Sequence, residues 1–108
     1  MNDKLLSLLG LCRRAGKLTI GCDSVIESVN CGETQLVLFV SNASQNTRKT
    51  VLNSVADKVK IITLNHDKET VSASLGRLCA VAGVNDKGFA KKLLQLLENN
   101  NGEECNLC

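Results

Sequence analysis

The chain has 108 residues, 44% of them apolar, and contains no proline. This length suits one compact core and is too short for two, so we expect a single domain. The formal net charge is only +2, which excludes attraction to nucleic acid through overall charge and would require clustered basic groups. No apolar run approaches the roughly 20 residues that cross a bilayer, and no signal-peptide pattern opens the chain. We therefore expect a soluble, cytoplasmic protein with no membrane partner.

The first third of the chain predicts two helices joined by a short strand. Residues 3–15 form the first helix, on an apolar face made of Leu5, Leu8, Leu9 and Cys12. Leu18 to Ile20 is β-prone and short, which predicts a brief strand. The second helix begins at Gly21, on an apolar face made of Cys22, Val25, Ile26 and Val29. Asp23 or Ser24 is placed to cap its first turn.

The rest of the chain alternates strands with helices. The unbroken apolar run Leu36 to Val40 is typical of a strand covered on both faces, so we place it at the centre of the sheet. A third helix follows, with Val51, Leu52 and Val55 on its apolar face. Then come a strand over 59–64, a helix capped by Asp67, a strand over 81–84, and a last helix faced by Phe89, Leu93, Leu96 and Leu97. This alternation predicts an α/β fold, a three-layer α/β/α sandwich around a small mixed sheet.

The six cysteines fall into two groups, four in the predicted domain and two in the last ten residues. Four of the six cysteines lie in helix and strand patterns, where we expect reduced structural thiols: Cys12, Cys22, Cys31 and Cys79. Residues 99–108 have no apolar period, so we expect a domain over 1–98 and a flexible tail. The tail ends in the pair Cys105 and Cys108. A tetrahedral metal site needs four ligands and His66 is the only histidine, so a zinc or redox site is the lesser alternative and we expect no metal or cofactor.

Four segments together resemble one family: LLGLCRRAGKLTIG at 8–21, the helix from Gly21 to Gly32, LVLFVSNASQNTRK at 36–49, and VNDKGFAKKLLQLL at 84–97. The chain resembles bacterial members of the kink-turn-binding ribosomal-protein family, the superfamily of L-seven-Ae and L-thirty-e, over about residues 3–98. The arginine pair before AGKL and the NDKGFA run are specific to the bacterial branch. The resemblance implies a four-stranded sheet between helix layers and a non-enzymatic RNA-binding function.

The resemblance also implies a site. In the family, the start of the second helix enters RNA beside the sheared G·A pairs of a kink-turn, and the loop before the last strand packs apolar side chains on an extruded nucleotide. By position, the implied helix contacts are Gly21, Cys22, Asp23, Ser24 and Glu27, and the implied loop contacts are Arg77, Leu78 and Cys79. The best-known kink-turn binders have asparagine, glutamate and lysine where this chain has Asp23, Ser24 and Glu27, so a carboxylate here replaces a basic group facing phosphate.

Several of these residues have a plainer interpretation. Asp23 and Ser24 could serve only as caps, and Leu78 and Cys79 could simply enter the core. Three basic residues lie close together in sequence, namely Arg13, Arg14 and Lys17. We interpret them as phosphate contacts that flank the start of the second helix. The alternative is that they stabilise the C-terminal end of the first helix. A basic surface would be extended by residues in and after the loop at 41–44, namely Asn42, Arg48 and Lys49, although the last two could be ordinary exposed charges.

Two functions stay open at this point. The first is a monomeric, non-enzymatic protein that binds structured RNA, ribosomal RNA included, with no small-molecule substrate. The second is a protein-interaction module in which Asp23, Glu27 and Glu33 meet a basic partner. Binding of single strands by stacking is disfavoured, because the only aromatic residues, Phe39 and Phe89, fall in core patterns. The absence of a glycine-rich phosphate loop argues against an enzyme.

Overall fold

The computed structural model describes residues 4–55 and 58–100, the last three as backbone only. Within them lie, in chain order, α1 (Lys4–Arg14), β1 (Leu18–Ile20), α2 (Cys22–Asn30), β2 (Leu36–Phe39), α3 (Gln45–Val55), β3 (Lys60–Thr63), α4 (Lys68–Leu75), β4 (Val81–Val84) and α5 (Lys87–Asn100). The predicted order of helices and strands is confirmed.

The four strands form one mixed sheet in the order β1-β4-β2-β3. β4 runs antiparallel to both of its neighbours, whereas β2 and β3 are parallel. All four side chains of β2 are buried, which confirms its predicted place inside the sheet. Because β4 lies between β1 and β2 and runs antiparallel to both, the ends of these two strands and the beginning of β4 meet at one edge of the sheet. We call this edge the upper edge and the opposite one the lower edge.

Helices cover both faces of the sheet. One buried cluster joins α1, α4 and α5 to the sheet through residues such as Leu9, Val71 and Leu93. A second cluster joins α2 and α3 to the other face through Val25 and Val51. This arrangement is the predicted three-layer α/β/α sandwich, and its burial of apolar side chains on both faces supplies most of the folding free energy.

Two helix ends follow the predicted local chemistry. The Oδ1 of Asp67 accepts a hydrogen bond from the backbone N–H of Thr70 at 2.8 Å, which caps α4 as predicted. At the end of α1, Gly16 adopts a left-handed conformation with φ +75°. There the N–H of Gly16 binds the carbonyl of Arg13, and the N–H of Lys17 binds the carbonyl of Cys12. This pair of bonds is a Schellman motif, which satisfies the last carbonyls of the helix.

Three sequence-based expectations about individual residues are wrong. Neither Asp23 nor Ser24 caps α2, because Gly21 occupies the cap position and has no side chain that could bond to the helix start. Leu52 is 39% exposed instead of lying on the core face of α3. Cys31 is exposed, whereas Cys12 and Cys79 are buried as structural thiols should be and Cys22 is half-buried.

The C-terminal boundary differs slightly from the expectation. α5 extends to Asn100, two residues beyond the predicted end of the domain at 98. Residues 101–108, including Cys105 and Cys108, lie outside the described residues, so the tail and the role of this pair stay predictions.

Candidate nucleic-acid interface

Three chain segments meet at the upper edge of the sheet: the start of α2, the loop after β2 and the loop between α4 and β4. The N–H of Gly21 donates to the carbonyl of Val81 at 3.1 Å. The N–H of Val40 donates to the carbonyl of Ala80, also at 3.1 Å. Val81, the first residue of β4, therefore holds the α2 start on one side, and Ala80, the residue before it, holds the end of β2 on the other.

The start of α2 presents backbone donors without a protein cap. Gly21 has φ 107° and ψ 147°, and its carbonyl accepts the first helical bond, from the N–H of Val25. The N–H groups of Cys22, Asp23 and Ser24 precede this first bond and have no acceptor within the helix. A Cβ built on Gly21 would meet no atom within 4 Å, so there is open space beside Gly21 at the helix start. A helix start of this kind suits a phosphate oxygen or a base edge.

The side chains of the first turns of α2 are acidic or neutral. Asp23, Ser24 and Glu27 are exposed. Cys22 is half-buried, and burial raises the pKa of its thiol, with the charge of Asp23 adding to the effect. Because the positive end of the helix dipole already stabilises a carboxylate at Asp23, the acidic side chain is tolerated without a cap.

The loop between α4 and β4 exposes an apolar side chain. Gly76 ends α4 in a left-handed conformation with φ 72°, and the Oγ of Ser72 then accepts the N–H of Cys79 at 2.9 Å. Cys79 is 2% exposed, whereas Leu78 is 71% exposed and Arg77 is also exposed. Of the two interpretations left open from sequence, ligand contact and core packing, the first fits Leu78 and the second fits Cys79. Leu78 is available to a ligand, and the predicted contact through the Cys79 side chain is wrong because that side chain enters the core.

The loop after β2 and the first turns of α3 add one amide and two basic side chains to this region. The Oδ1 of Asn42 accepts the N–H of Lys68 at 2.8 Å, so Asn42 positions the start of α4. Arg48 donates to the Oγ1 of Thr63 at 3.1 Å, and its guanidinium lies 5.1 Å from the centre of the Phe39 ring. Arg48 is therefore anchored over the core, whereas Lys49 is exposed.

Sequence reasoning missed Lys68, which the bond to Asn42 brings to the upper edge. The parallel pairing of β2 and β3 places the segments that follow these strands side by side. If the two predicted strands had been assigned a parallel pairing, Asn42 and Lys68 would have been expected to lie close together.

The remaining basic residues lie elsewhere. The carbonyl of Lys17 accepts the N–H of Asn85 at 2.8 Å, which places Lys17 at the lower edge. At about 3.3 Å per strand residue, roughly 13 Å separates Lys17 from Gly21. Arg13 and Arg14 end α1, in the other helix layer. The expectation that these three residues flank the α2 start is wrong, because β1 carries the chain across the sheet between them.

Neither a metal site nor a membrane-spanning helix is found in the residues that the structure describes. Within 4–55 and 58–97, no group of three or more histidine, cysteine, aspartate or glutamate side chains is placed to hold a metal ion. None of the described helices combines the length and apolar character that a membrane span requires.

Comparison with known proteins gives consistent matches. A sequence model of the "Ribosomal protein L7Ae/L30e/S12e/Gadd45 family" matches residues 3–94. The RNA-binding protein YlxQ of Bacillus subtilis (strain 168) is 38% identical over 96 residues, which are 84% of this chain and 92% of that protein. The RNA-binding protein YlxQ of Enterococcus faecium is 34% identical over 97 residues, 89% of this chain and 93% of that protein.

Solved structures agree with these sequence matches. A protein of unknown function from Bacillus halodurans C superposes with a TM-score of 0.82 at 31% identity, over 90% of this chain and 99% of that one. A 15.5 kD RNA-binding protein of Giardia lamblia gives a TM-score of 0.65 at 16% identity, over 94% and 92% of the two chains, and shares the fold. The resemblance inferred from sequence is confirmed. The chain belongs to the Ribosomal protein L7Ae/L30e/S12e/Gadd45 family.

Proposed function

We propose that this protein is a non-enzymatic RNA-binding protein that recognises a structured, kink-turn-like RNA through the upper edge of its sheet. The observation that carries the proposal is the juxtaposition of an uncapped α2 start with the exposed Leu78 loop. The relatives named RNA-binding proteins, at 38% and 34% identity, support the choice of ligand.

The contacts divide between backbone and side chains. The N–H groups of Cys22, Asp23 and Ser24 donate to phosphate oxygens or base edges of the RNA. Leu78 packs on an extruded nucleotide, and Arg77 and Lys49 contact nearby phosphates. Because Asp23 and Glu27 bring negative charge to this surface, recognition rests on the backbone donors and on Leu78 more than on the α2 side chains.

The arrangement of the acidic residues favours RNA over the alternative of a protein-interaction module. That alternative needs Asp23, Glu27 and Glu33 to form one acidic surface. Asp23 and Glu27 lie one turn apart, whereas Glu33 follows the far end of α2. At 1.5 Å per residue, Asp23 lies about 10 Å along the helix axis from Asn30, the last residue of α2, and Glu33 lies beyond that end. The acidic groups are therefore spread along α2 instead of forming a patch.

The test is a filter-binding titration against a kink-turn duplex and an unkinked duplex of the same composition, at two salt concentrations. Leu78→Ala should weaken kink-turn binding about tenfold, the value of burying one leucine side chain. Leu11→Ala is the matched control, because Leu11 is 54% exposed on α1 and should not contact this RNA.

Phosphate contacts also require affinity to fall with salt. Equal affinity for the two duplexes would contradict kink-turn recognition. Affinity independent of salt would contradict RNA binding through phosphate contacts, and equal losses in the two leucine variants would contradict the assignment of the site.

A further inference from the structure

Four cations lie together at the lower edge of the sheet, away from the proposed site. Arg13 and Arg14 end α1, Lys17 precedes β1, and Lys87 begins α5. All four side chains are exposed. The bond from the N–H of Asn85 to the carbonyl of Lys17 joins the segment before α5 to the segment after α1, which brings Lys87 to the end of α1. We call these four residues the basic edge.

Helix capping does not explain the two arginines. The carbonyls of Cys12 and Arg13 already accept hydrogen bonds from the N–H groups of Lys17 and Gly16, at 2.9 and 3.0 Å. The guanidinium groups are therefore not needed to satisfy the end of α1. Among the described residues, neither arginine side chain forms an ion pair.

The acidic residues near the basic edge do not neutralise it. Asp86 lies beside the last turn of α1, since its charge adds to burial in raising the pKa of Cys12. One of its carboxylate oxygens, Oδ2, accepts the N–H of Phe89 at 3.0 Å and so caps α5. Glu33 also lies toward this edge but follows α2, in the opposite helix layer. Four exposed cations thus lie beside one carboxylate, which leaves the basic edge with a net positive charge.

The basic edge and the proposed site face different directions. β1 runs from the lower to the upper edge, and α1 and α5 pack on the sheet face opposite α2. RNA docked on the α2 start would therefore leave the four cations accessible. Arginine forks bind phosphate through paired hydrogen bonds, and lysines add unoriented positive charge.

We propose that the basic edge binds the phosphate backbone of a second RNA segment, so that one protein molecule holds two RNA segments at once. Binding here depends on charge and not on base sequence, because the contacts go to phosphates. The inference rests on the proposed function only in taking RNA as the partner, since it concerns a different surface.

The test measures binding of a labelled plain RNA duplex to immobilised full-length protein, with and without one equivalent of kink-turn duplex, which fills the α2 site without an excess that would compete for the basic edge. The variant is Arg13→Gln, Arg14→Gln and Lys17→Gln together. The control makes the same charge change at three exposed lysines that belong to neither surface, Lys4→Gln, Lys60→Gln and Lys92→Gln. Lys60 begins β3, three strands away from β1 across the sheet, so it is separated from the basic edge. Melting temperatures of both triple variants verify folding.

Wild-type and control proteins should bind the plain duplex even when one equivalent of kink-turn RNA occupies the α2 site. The basic-edge variant should bind it at least tenfold more weakly at about 0.1 M salt, with a salt slope smaller by about 2 to 3 ions for three lost phosphate contacts. It should bind the kink-turn duplex as the wild type does. If the kink-turn duplex does not bind at all, the proposed function fails, while loss of plain-duplex binding in the variant still supports the basic edge. The inference is overturned if the variant binds plain duplex normally, or if kink-turn RNA displaces all plain duplex from the wild type.

Discussion

The backbone N–H of Gly21 donates to the carbonyl oxygen of Val81 at 3.1 Å, joining two residues that are 60 positions apart in the chain. The neighbouring carbonyl, that of Ala80, accepts the N–H of Val40. Leu78 lies only three residues before Val81. The backbone donors of α2 and the exposed leucine, the two main elements of the proposed interface, are thus positioned by the same short piece of β4.

Gly21→Ala should lower both stability and kink-turn affinity. The conformation of Gly21, with φ 107° and ψ 147°, is one that residues with a Cβ rarely adopt, although space for the methyl group exists. Holding alanine there costs on the order of 1–3 kcal/mol, measured as the change in unfolding free energy in urea. Gly10→Ala is the control, since Gly10 lies inside α1 with open space around it and should gain about 0.5–1 kcal/mol. Equal effects of the two substitutions would contradict this account of Gly21.

Glu27→Lys should tighten binding to a kink-turn duplex about fivefold, because an exposed carboxylate near phosphate becomes a cation. Glu27 is exposed one turn beyond Asp23 on α2. The salt slope should steepen by up to about one ion. The measurement is a titration of kinked and unkinked duplexes at two salt concentrations.

Glu33→Lys makes the same charge change beyond the other end of α2, toward the basic edge, so any gain in affinity that it causes should be equal on kinked and unkinked RNA. No gain in affinity on either RNA would count against α2 as the docking element. An equal gain on kinked and unkinked RNA would leave only nonspecific attraction.

Asn85→Ala should destabilise the fold by about 1–3 kcal/mol. The Oδ1 of Asn85 accepts the hydroxyl of Thr34 at 2.8 Å, and its Nδ2 donates to the Oγ1 of Thr19 at 2.7 Å. Thr34 is only 7% exposed, so its hydroxyl would lose this partner in a place with little access to water. Chemical denaturation tests the expectation. Asn46→Ala, at an exposed position of α3, should change stability by less than about 0.5 kcal/mol. A similarly small effect at Asn85 would show that the bonds across this site contribute little.

The cysteines should react at very different rates with an alkylating reagent at about pH 8. Burial raises the pKa of Cys12 to about 11, with the charge of Asp86 adding to it, and burial alone raises that of Cys79 to about 11. Both thiols should stay unmodified in the folded protein, whereas the exposed Cys31 should react within minutes. Timed quenching followed by peptide mass spectrometry measures this. Similar rates at Cys12 and Cys31 would contradict the described packing.

The same two thiols predict a loss of stability in alkali. Above about pH 9 the unfolded chain releases these thiol protons while the folded chain retains them, so ionisation favours the unfolded state. Unfolding free energy should therefore fall as pH rises from about 9 towards 11. In the Cys12→Ser variant the unfolding free energy should fall less steeply with pH, because the serine hydroxyl does not ionise in this range.

The fold was predictable because its elements carry strong local patterns. The unbroken run at Leu36 to Val40 indicates a strand buried on both faces, and Asp67 marks the start of α4. The α2 cap was not predictable from local sequence. Asp23 and Ser24 are both good capping residues, yet the helix begins earlier because the bond to Val81, distant in sequence, positions Gly21.

The candidate site was only partly predictable, for the same kind of reason. The hydroxyl of Ser72 accepts the N–H of Cys79 and so helps to decide that Cys79 faces the core and Leu78 faces solvent. The periodicity of apolar residues does not predict this contact. Nearness in sequence was misleading for Lys17 and Gly21, since a strand of only three residues carries them to opposite edges. Which side chains lie together at one edge depends on the direction in which each strand and helix runs, and amino-acid composition carries no information about that direction.

The place of β4 between β1 and β2 also affects when during synthesis the protein can first bind RNA. A nascent chain that has emerged only as far as α4 contains the residues of the α2 start but none of the strand that pairs with β1. Its first two strands have no direct pairing with each other, and closing the sheet requires contacts between distant parts of the chain, which form slowly. The upper edge, and with it the proposed RNA site, therefore forms only when the chain is nearly complete.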